Sequence, residues 1–296
     1  GHVHFVRSPH AHALIRDVDV SRAAALEGVY ATLTGEEVRR LSDRYPQIAP
    51  EPGGRIKDYC LAVEKARYAG EPVAAVLAET RELARDAAAL VAVDYEPLDP
   101  VVDTLAAAAE DAPVIHTEVG SNVGWHGSYD FGDIEWALEN ADHVVRIPHL
   151  HFHRFSSTPL ECNAALVNWE SGTDTIEIRS NNQMPQFAAL FIAPALGVRA
   201  DQLVFKSQDI GGAFGLKLTT YVNITAIALL SRKANRPAKW TEYRSEHLVG
   251  SCHGNERTFV DTEVPVMADG TILGFRTSAY DDVGAFMRYE PLGGVI

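Results

Sequence analysis

Cysteine is scarce in this sequence. Only three of the 296 residues are Cys, at positions 60, 162 and 252, and no two stand in a C-x-x-C spacing. An odd, sparse set argues against a secreted disulfide scaffold, and against an iron–sulfur cluster or Cys-rich zinc site held by this chain alone. Positive charge is also in short supply: 26 Lys and Arg stand against 40 Asp and Glu, a formal net charge of −14. A nucleic-acid backbone or an anionic membrane surface is therefore not an expected partner. No apolar run approaches the ~18 residues of a membrane-spanning helix, and no signal-peptide pattern is visible. The reducing cytoplasm is the default expectation for location. The G-x-S-x-G elbow, the H-E-x-x-H helix, the G-x-G-x-x-G fingerprint and the P-loop are missing as well, so serine-hydrolase, zincin, dinucleotide-binding and P-loop readings lack their anchors.

What is present is ordinary globular material, 46% hydrophobic and 22% charged, in a chain long enough for two domains and a substantial core. Gly1 opens directly on the strand-like His2-Val3-His4-Phe5-Val6, and the chain closes on Gly293-Gly294-Val295-Ile296 without a cap or charged tail. Both ends read as cuts through structure. Strands are expected over residues 3–7, 13–20, 29–33, 73–78 and 91–95. Ser21 is read as the cap of a short helix ending near Gly28. Thr80 is read as the cap of a helix over 81–90 that turns Ala84, Ala87, Ala88 and Leu90 inward. Residues 101–140 look like a connection carrying one short helix at 134–140, before a strand at 143–147.

The second part repeats a strand–loop–helix rhythm. A strand at 175–179 leads into Ser180-Asn181-Asn182-Gln183. A helix follows, with Pro185 as its first residue and Gly197 just past its end. A strand at 202–207 leads into residues 208–215, then an apolar helix over 219–233 and a strand at 238–243. The two loops should lie at equivalent ends of neighbouring strands, where α/β architectures bind ligands. The expected fold class is α/β to α+β with mixed sheets in both parts.

Gly211-Gly212-Ala213-Phe214-Gly215-Leu216-Lys217 is the most informative stretch. Three glycines in five residues, between a strand and a helix, allow tight turning and close approach of a ligand. Amides at a helix start favour an anionic or polar-oxygen ligand. A tight turn that merely packs a helix on a strand has the same composition, and both readings stand on the residues alone.

The run Asp209-Ile210-Gly211-Gly212-Ala213-Phe214-Gly215-Leu216-Lys217 resembles the GGxFGxK signature of the molybdopterin-binding subunits of the xanthine dehydrogenase, aldehyde oxidase and aerobic carbon monoxide dehydrogenase family, with Ala213 where the family often has a third Gly. Arg7-Ser8-Pro9-His10-Ala11-His12-Ala13, Gly70-Glu71-Pro72-Val73-Ala74-Ala75-Val76 and Val93-Asp94-Tyr95-Glu96-Pro97-Leu98 resemble segments of that family's N-terminal α/β hammerhead domain. Gly132-Asp133 through His143-Val144-Val145, Pro159-Leu160-Glu161 and Gln183 match further family segments in order. The resemblance covers nearly the whole chain. It implies a hammerhead domain over residues 1–115, a linker over 116–140, and over 141–296 the first part of a mixed-sheet molybdopterin-binding domain.

The resemblance implies oxidative hydroxylation of an aldehyde, a heterocycle or carbon monoxide at a molybdenum–molybdopterin cofactor, its cytosine dinucleotide form included. The metal would be held by the pterin dithiolene and not by side chains. Gln183 would hydrogen-bond an oxo ligand, Gly211, Gly212, Ala213 and Gly215 would bring backbone amides to the cofactor, and Phe214 would edge the site. Electrons would leave through iron–sulfur clusters and FAD on partner chains, an iron–sulfur subunit and an FAD-binding subunit, in a dimer of heterotrimers. The family's general base and substrate loop lie further downstream, so this chain alone is expected to be inactive. Leu218 stands where purine hydroxylases carry Glu, which makes a purine substrate less expected. A non-catalytic scaffold, or an unrelated α/β enzyme binding a phosphate-containing ligand at 211–215, are the alternatives.

Weaker constellations have plain readings beside them. His149, His151 and His153 alternate on a strand-like run and so share one face, which suits either a metal or a polar strand surface. Glu161 and Arg154 suggest a buried structural ion pair. Cys252-His253 has poor geometry for a nucleophile and base on adjacent strand positions. Trp169 and Trp240 read as core or interface aromatics.

Overall fold

Hydrophobic patterning sets the local elements, and a computed structural model describes them for residues 1–49, 51–251 and 254–287. Thirteen strands form among the described residues. In chain order they are β1 (His2–Arg7), β2 (Ala13–Asp19), β3 (Val29–Thr34), β4 (Lys65–Ala66), β5 (Pro72–Ala78), β6 (Ala92–Pro97), β7 (His143–Phe152), β8 (Ala164–Glu170), β9 (Thr175–Ser180), β10 (Leu203–Ser207), β11 (Ala238–Thr241), β12 (Glu256–Val266) and β13 (Arg276–Asp282). The chain folds as two units, one of Gly1–Ile48, Ile56–Pro100 and Ser156–Cys252, the other of Ala49–Arg55, Val101–Phe155 and His253–Ile296.

The first unit is built on a seven-stranded mixed sheet in the order β10-β9-β8-β11-β1-β5-β3. β5 reads Pro-Val-Ala-Ala-Val-Leu-Ala and is buried at every residue, flanked by β1 and β3. A continuous apolar run is the sequence form of a strand covered on both faces. β8 and β9 instead alternate, burying Ala165, Val167 and Trp169 on one and Ile176 and Ile178 on the other. That period of two marks a half-buried sheet face. Helix Tyr221–Ala234 lies against β8 and is buried over most of its circumference. Its deep hydroxyls are paired: Thr225 donates to the Tyr221 carbonyl at 2.9 Å, and Ser231 accepts from the Trp169 amide at 3.0 Å and donates to the Arg236 carbonyl at 2.8 Å. Trp169 and Trp240 are both core residues. A second sheet of this unit runs β4-β2-β6.

Several boundaries differ from the sequence reading for local reasons. Ser21 lies inside helix Ser21–Ala24, and Asp19 Oδ1 accepts the Ser21 amide instead. Helix Gly35–Leu41 was not anticipated, although Thr34 and Glu37 form a reciprocal capping box that the sequence spells out. Thr80 does cap helix Arg81–Ala88, accepting from the Leu83 amide at 3.1 Å. Helix Pro185–Leu196 begins on Pro185 and ends at Gly197 in the left-handed conformation (φ 65°), as its punctuation implies.

The second unit holds the three-stranded sheet β13-β12-β7. β7 runs ten residues, well past the expected 143–147, because β12 pairs with it from His143 to Phe152. Helix Ile134–Asn140 forms where expected, capped by Asp133.

His4 on β1 gives the first unit a pH dependence. Burial, then the cations Arg7, Arg85 and Arg81 against an opposing Glu246, lower its pKa below the ordinary 6.5. The folded state therefore binds a proton less readily than the unfolded chain. Stability is complete above about pH 6.5 and falls as the pH drops through the window beneath it. Thermal melts between pH 7 and pH 5 should show a shallower decline in His4→Phe than in the parent; parallel curves would remove His4 as the cause.

Candidate functional site

β9 and β10 pair in parallel, with Ser180 opposite Ser207. Their exit loops therefore leave the same edge of the sheet side by side. Asn182, fully buried, ties the two loops together. Its Nδ2 donates to the carbonyls of Lys217 (2.8 Å) and Leu218 (3.2 Å) and to Thr220 Oγ1 (2.7 Å). Its Oδ1 accepts the Met184 amide, and its carbonyl accepts Ser207 Oγ. The residue before Gln183 is thus a clamp that sets where Gln183 sits. Sequence reading passed over it, and the Asn181-Asn182 doublet at a strand exit was the available signal.

The Gly-rich loop enters the left-handed region at Gly212 (φ 89°), Phe214 (φ 52°) and Gly215 (φ 85°). A chain that repeatedly visits this region can turn successive amides toward one concavity and make an anion nest. Among the described residues, the amides of Gly212, Ala213, Phe214 and Gly215 have no hydrogen-bond partner. They are not helix-start amides, contrary to the sequence expectation. A 3-10 turn at Leu216–Leu218 intervenes, and the helix begins at Tyr221. Phe214 is 74% exposed, an aromatic side chain presented to solvent from a strained backbone.

Below the loop sits a charge pair. Lys217 is fully buried, and its Nζ donates to Glu161 Oε2 at 2.6 Å. The same oxygen accepts the Gly211 amide at 2.8 Å. A Cβ at residue 211 would lie 2.7 Å from Glu161 Cβ, so only glycine allows this approach. Partial burial pushes the Glu161 carboxyl up, but hydrogen bonds from Lys217, Gly211 and Asn181 outweigh it and hold its pKa below the usual value. The expected Glu161–Arg154 pair does not form: Arg154 bonds to Asp282 instead, at 3.2 Å between side chains.

The strand of chain preceding Glu161 is pinned by a buried polar network. Glu242 Oε2 accepts the Asn163 amide (3.0 Å), Asn163 Nδ2 (2.9 Å) and His247 Nδ1 (3.1 Å), while Oε1 accepts Ser251 Oγ. His247 Nε2 donates to the Ser157 carbonyl at 3.1 Å, and Ser157 Oγ donates to the Phe214 carbonyl at 3.1 Å. Arg244 Nη2 donates to the carbonyls of Pro159 and Leu160. Sequence reading found none of Asn163, Glu242, Arg244 or His247. Cys252 and His253 lie outside the described residues.

The site suits an anionic, oxygen-rich pterin cofactor. Gln183 Oε1 is buried and has no hydrogen-bond partner among the described residues, so one end of its carboxamide is unspent. An unpaired buried amide is unfavourable unless something else satisfies it. The partnerless amides of 212–215 belong to the neighbouring loop of the same sheet edge. A string of neutral N–H donors with an adjustable carboxamide matches oxygen ligands, while the buried Lys217 is already neutralised by Glu161.

Comparisons with known proteins agree with this geometry. The family model for the aldehyde oxidase and xanthine dehydrogenase a/b hammerhead domain matches residues 1–99, and that for the molybdopterin cofactor-binding domain matches residues 115–293. The nicotine 6-hydroxylase large subunit of Paenarthrobacter nicotinovorans is 34% identical over 286 residues, covering 96% of this chain and 35% of the relative. The carbon monoxide dehydrogenase large chain of Afipia carboxidovorans is 32% identical over 294 residues, covering 95% and 36%. The crystal structure of quinoline 2-oxidoreductase from Pseudomonas putida 86 superposes with a TM-score of 0.84 at 30% identity, covering 94% of this chain and 35% of that one. The chain thus spans about a third of the length of these relatives. With both family domains matched in order and the fold shared, the chain belongs to the molybdopterin-binding family of aldehyde oxidases and xanthine dehydrogenases.

Proposed function

We propose that this chain is the cofactor-binding portion of a molybdenum hydroxylase: a hammerhead domain over 1–115, a linker over 116–140 and the first part of the molybdopterin-binding domain over 141–296. The observation that carries this reading is that an unspent Gln183 carboxamide and four partnerless amides lie on the two loops that leave the neighbouring parallel strands β9 and β10 at the same end. With its carboxamide turned so that Nε2 takes the place of the unpaired Oε1, Gln183 would donate to an oxygen ligand of the cofactor, and the amides of Gly212, Ala213, Phe214 and Gly215 would donate to its other oxygens. Gly211 takes no part as a donor to it, because its amide is spent on Glu161; its role is to let Glu161 and Lys217 close beneath the loop. Phe214 would shield the site's edge from water.

When bound, the molybdenum cofactor supplies the two-electron oxidation, and the protein supplies position and hydrogen bonds. The substrate class is an aldehyde, a heterocycle or carbon monoxide. Leu218 offers no carboxylate for a purine, and relatives named for nicotine and quinoline add weight to a nitrogen heterocycle. Iron–sulfur and FAD-binding subunits would take the electrons, in keeping with relatives named as a large subunit and a large chain. The cytosine dinucleotide form of the cofactor, a dimer of heterotrimers, a cytoplasmic location and inactivity of this chain without its partners belong to the same proposal. Among the described residues no helix is long and apolar enough to cross a membrane.

The test is molybdenum and pterin content of the full complex, measured per chain. Gln183→Ala and Gly212→Val should each lower occupancy, the second more severely, because a side chain there is strained at φ 89° and meets Pro159 Cβ at 3.1 Å. Parental occupancy in both variants would instead favour the scaffold reading.

A further inference from the structure

The second unit carries a cluster that the cofactor site does not use. β7 and β12 are antiparallel, with His151 opposite Thr258 and Phe152 opposite Arg257. Opposed residues share a face, as do residues two apart on one strand. His149 and His151 therefore line the same face of the sheet as Glu256 and Thr258, and His153 continues the row just past the end of β7. The rings of His149 and His151 stack at 6.0 Å, and those of His151 and His153 meet edge-on at 4.3 Å.

The ligand atoms converge. His151 Nε2 and His153 Nδ1 are 3.1 Å apart, His151 Nε2 is 3.8 Å from Glu256 Oε1, and the three residues offer atoms all within 4.8 Å of one another. Two zinc–nitrogen bonds of about 2.0–2.1 Å at a tetrahedral angle place their nitrogens about 3.3 Å apart, close to the observed spacing. The supporting contacts are also of the right kind. His151 Nδ1 pairs with Thr258 Oγ1 at 2.9 Å, which orients the ring and leaves Nε2 for the cluster. Thr104 Oγ1 donates to Glu256 Oε1 at 2.7 Å and holds the carboxylate. Outer contacts of this type orient metal ligands. His153 is exposed, which gives an ion access and leaves room for a water as a further ligand.

We infer that His151, His153 and Glu256 form a binding site for one divalent metal ion of the zinc type. Two imidazoles and a carboxylate suit that borderline ion better than calcium or magnesium, which prefer all-oxygen shells. The other close set, Cys162, Glu242 and His247, differs in one respect. Both Glu242 oxygens and both His247 nitrogens are already bonded to protein groups, so an ion would break a buried network. In the His151 cluster an ion displaces only the contacts that the three ligands make with one another.

The test uses full-length protein, stripped with a chelator and titrated with Zn²⁺ alone against a chromophoric competitor. The parent should bind one equivalent that His153→Ala and Glu256→Gln each weaken by at least ~10-fold, while His149→Ala changes binding less than about twofold. Zn²⁺ should raise the melting temperature of the parent and not that of His153→Ala, with the metal-free melts of the two alike. Co²⁺ in place of Zn²⁺ should give a visible tetrahedral band that His153→Ala loses. Parental Zn²⁺ affinity in His153→Ala, or no stoichiometric binding by the parent, overturns the site.

Discussion

Glu242→Gln is expected to destabilise the first unit by about 3–5 kcal/mol, because several buried donors share this one carboxylate and each donor left unpaired costs about 1–3 kcal/mol. Glu242 is 3% exposed and is surrounded only by donors: the Asn163 amide and Nδ2, His247 Nδ1 and Ser251 Oγ. A carboxylate accepts all of them. A carboxamide must point its own NH₂ at one or more of them, leaving donors face to face in a medium where an unmade hydrogen bond is costly. His247 suffers most. It is fully buried between Glu242 and the Ser157 carbonyl, so a carboxamide NH₂ turned toward Nδ1 takes away the acceptor that orients the ring. The effect should also travel outward, because Ser157 holds the Phe214 carbonyl of the Gly-rich loop. Urea unfolding should show the midpoint drop in Glu242→Gln, with Ser251→Ala losing only about 1 kcal/mol, since its hydroxyl donates to Glu242 and accepts only a long bond of 3.4 Å from Asn163 Nδ2. Equal midpoints in Glu242→Gln and the parent would show that the network contributes no net stability.

Glu161→Gln should come next in size, at about 2–3 kcal/mol, below the full range for a buried pair because Glu161 itself is 44% exposed. The asymmetry between the partners gives the sharper test. Lys217 has no exposed surface, so removing Glu161 strands a buried cation. Removing the cation instead, in Lys217→Met, leaves a carboxylate that reaches water and still accepts the Gly211 amide, while the methionine fills a similar volume. Lys217→Met should therefore be the milder substitution, and Glu161→Gln combined with Lys217→Met should be less destabilised than Glu161→Gln alone. A double variant as damaged as the sum of the two singles would mean that the pair is uncoupled. The lowered pKa of Glu161 fixes the sign of the pH effect. Its contribution is present above the ordinary 4.5 and is lost as the pH falls through the folded value.

Much of the site was legible because its signals are local. Strand β9, the loop that carries Gln183, the helix opening on Pro185 and the left-handed Gly197 follow from alternation and punctuation within about twenty residues. The glycines of 211–215 announce a special loop by composition alone. The same local chemistry places helix Ile134–Asn140 and the cap at Thr80. Even the missed helix Gly35–Leu41 was written in its Thr34–Glu37 box. A sequence pattern also put His149, His151 and His153 on one face, though it could not name what faces them.

By itself, then, the sequence determined the α/β class, the family, the two neighbouring loops and the residue types that line them. Only the tertiary structure decided who meets whom. Lys217 chose Glu161 over any nearer acid, 56 positions away, and Arg154 went to Asp282, 128 away. Asn163 found Glu242 at a separation of 79, and β1 came to lie beside β11. Glu256 reached His151 only because β12 pairs with β7 in one particular register. Helix and turn signals act over a few residues, through backbone sterics and capping. Pairings of this range depend instead on which strands share a sheet and on how the buried charges can be neutralised together, and those choices exist only once the chain has closed on itself.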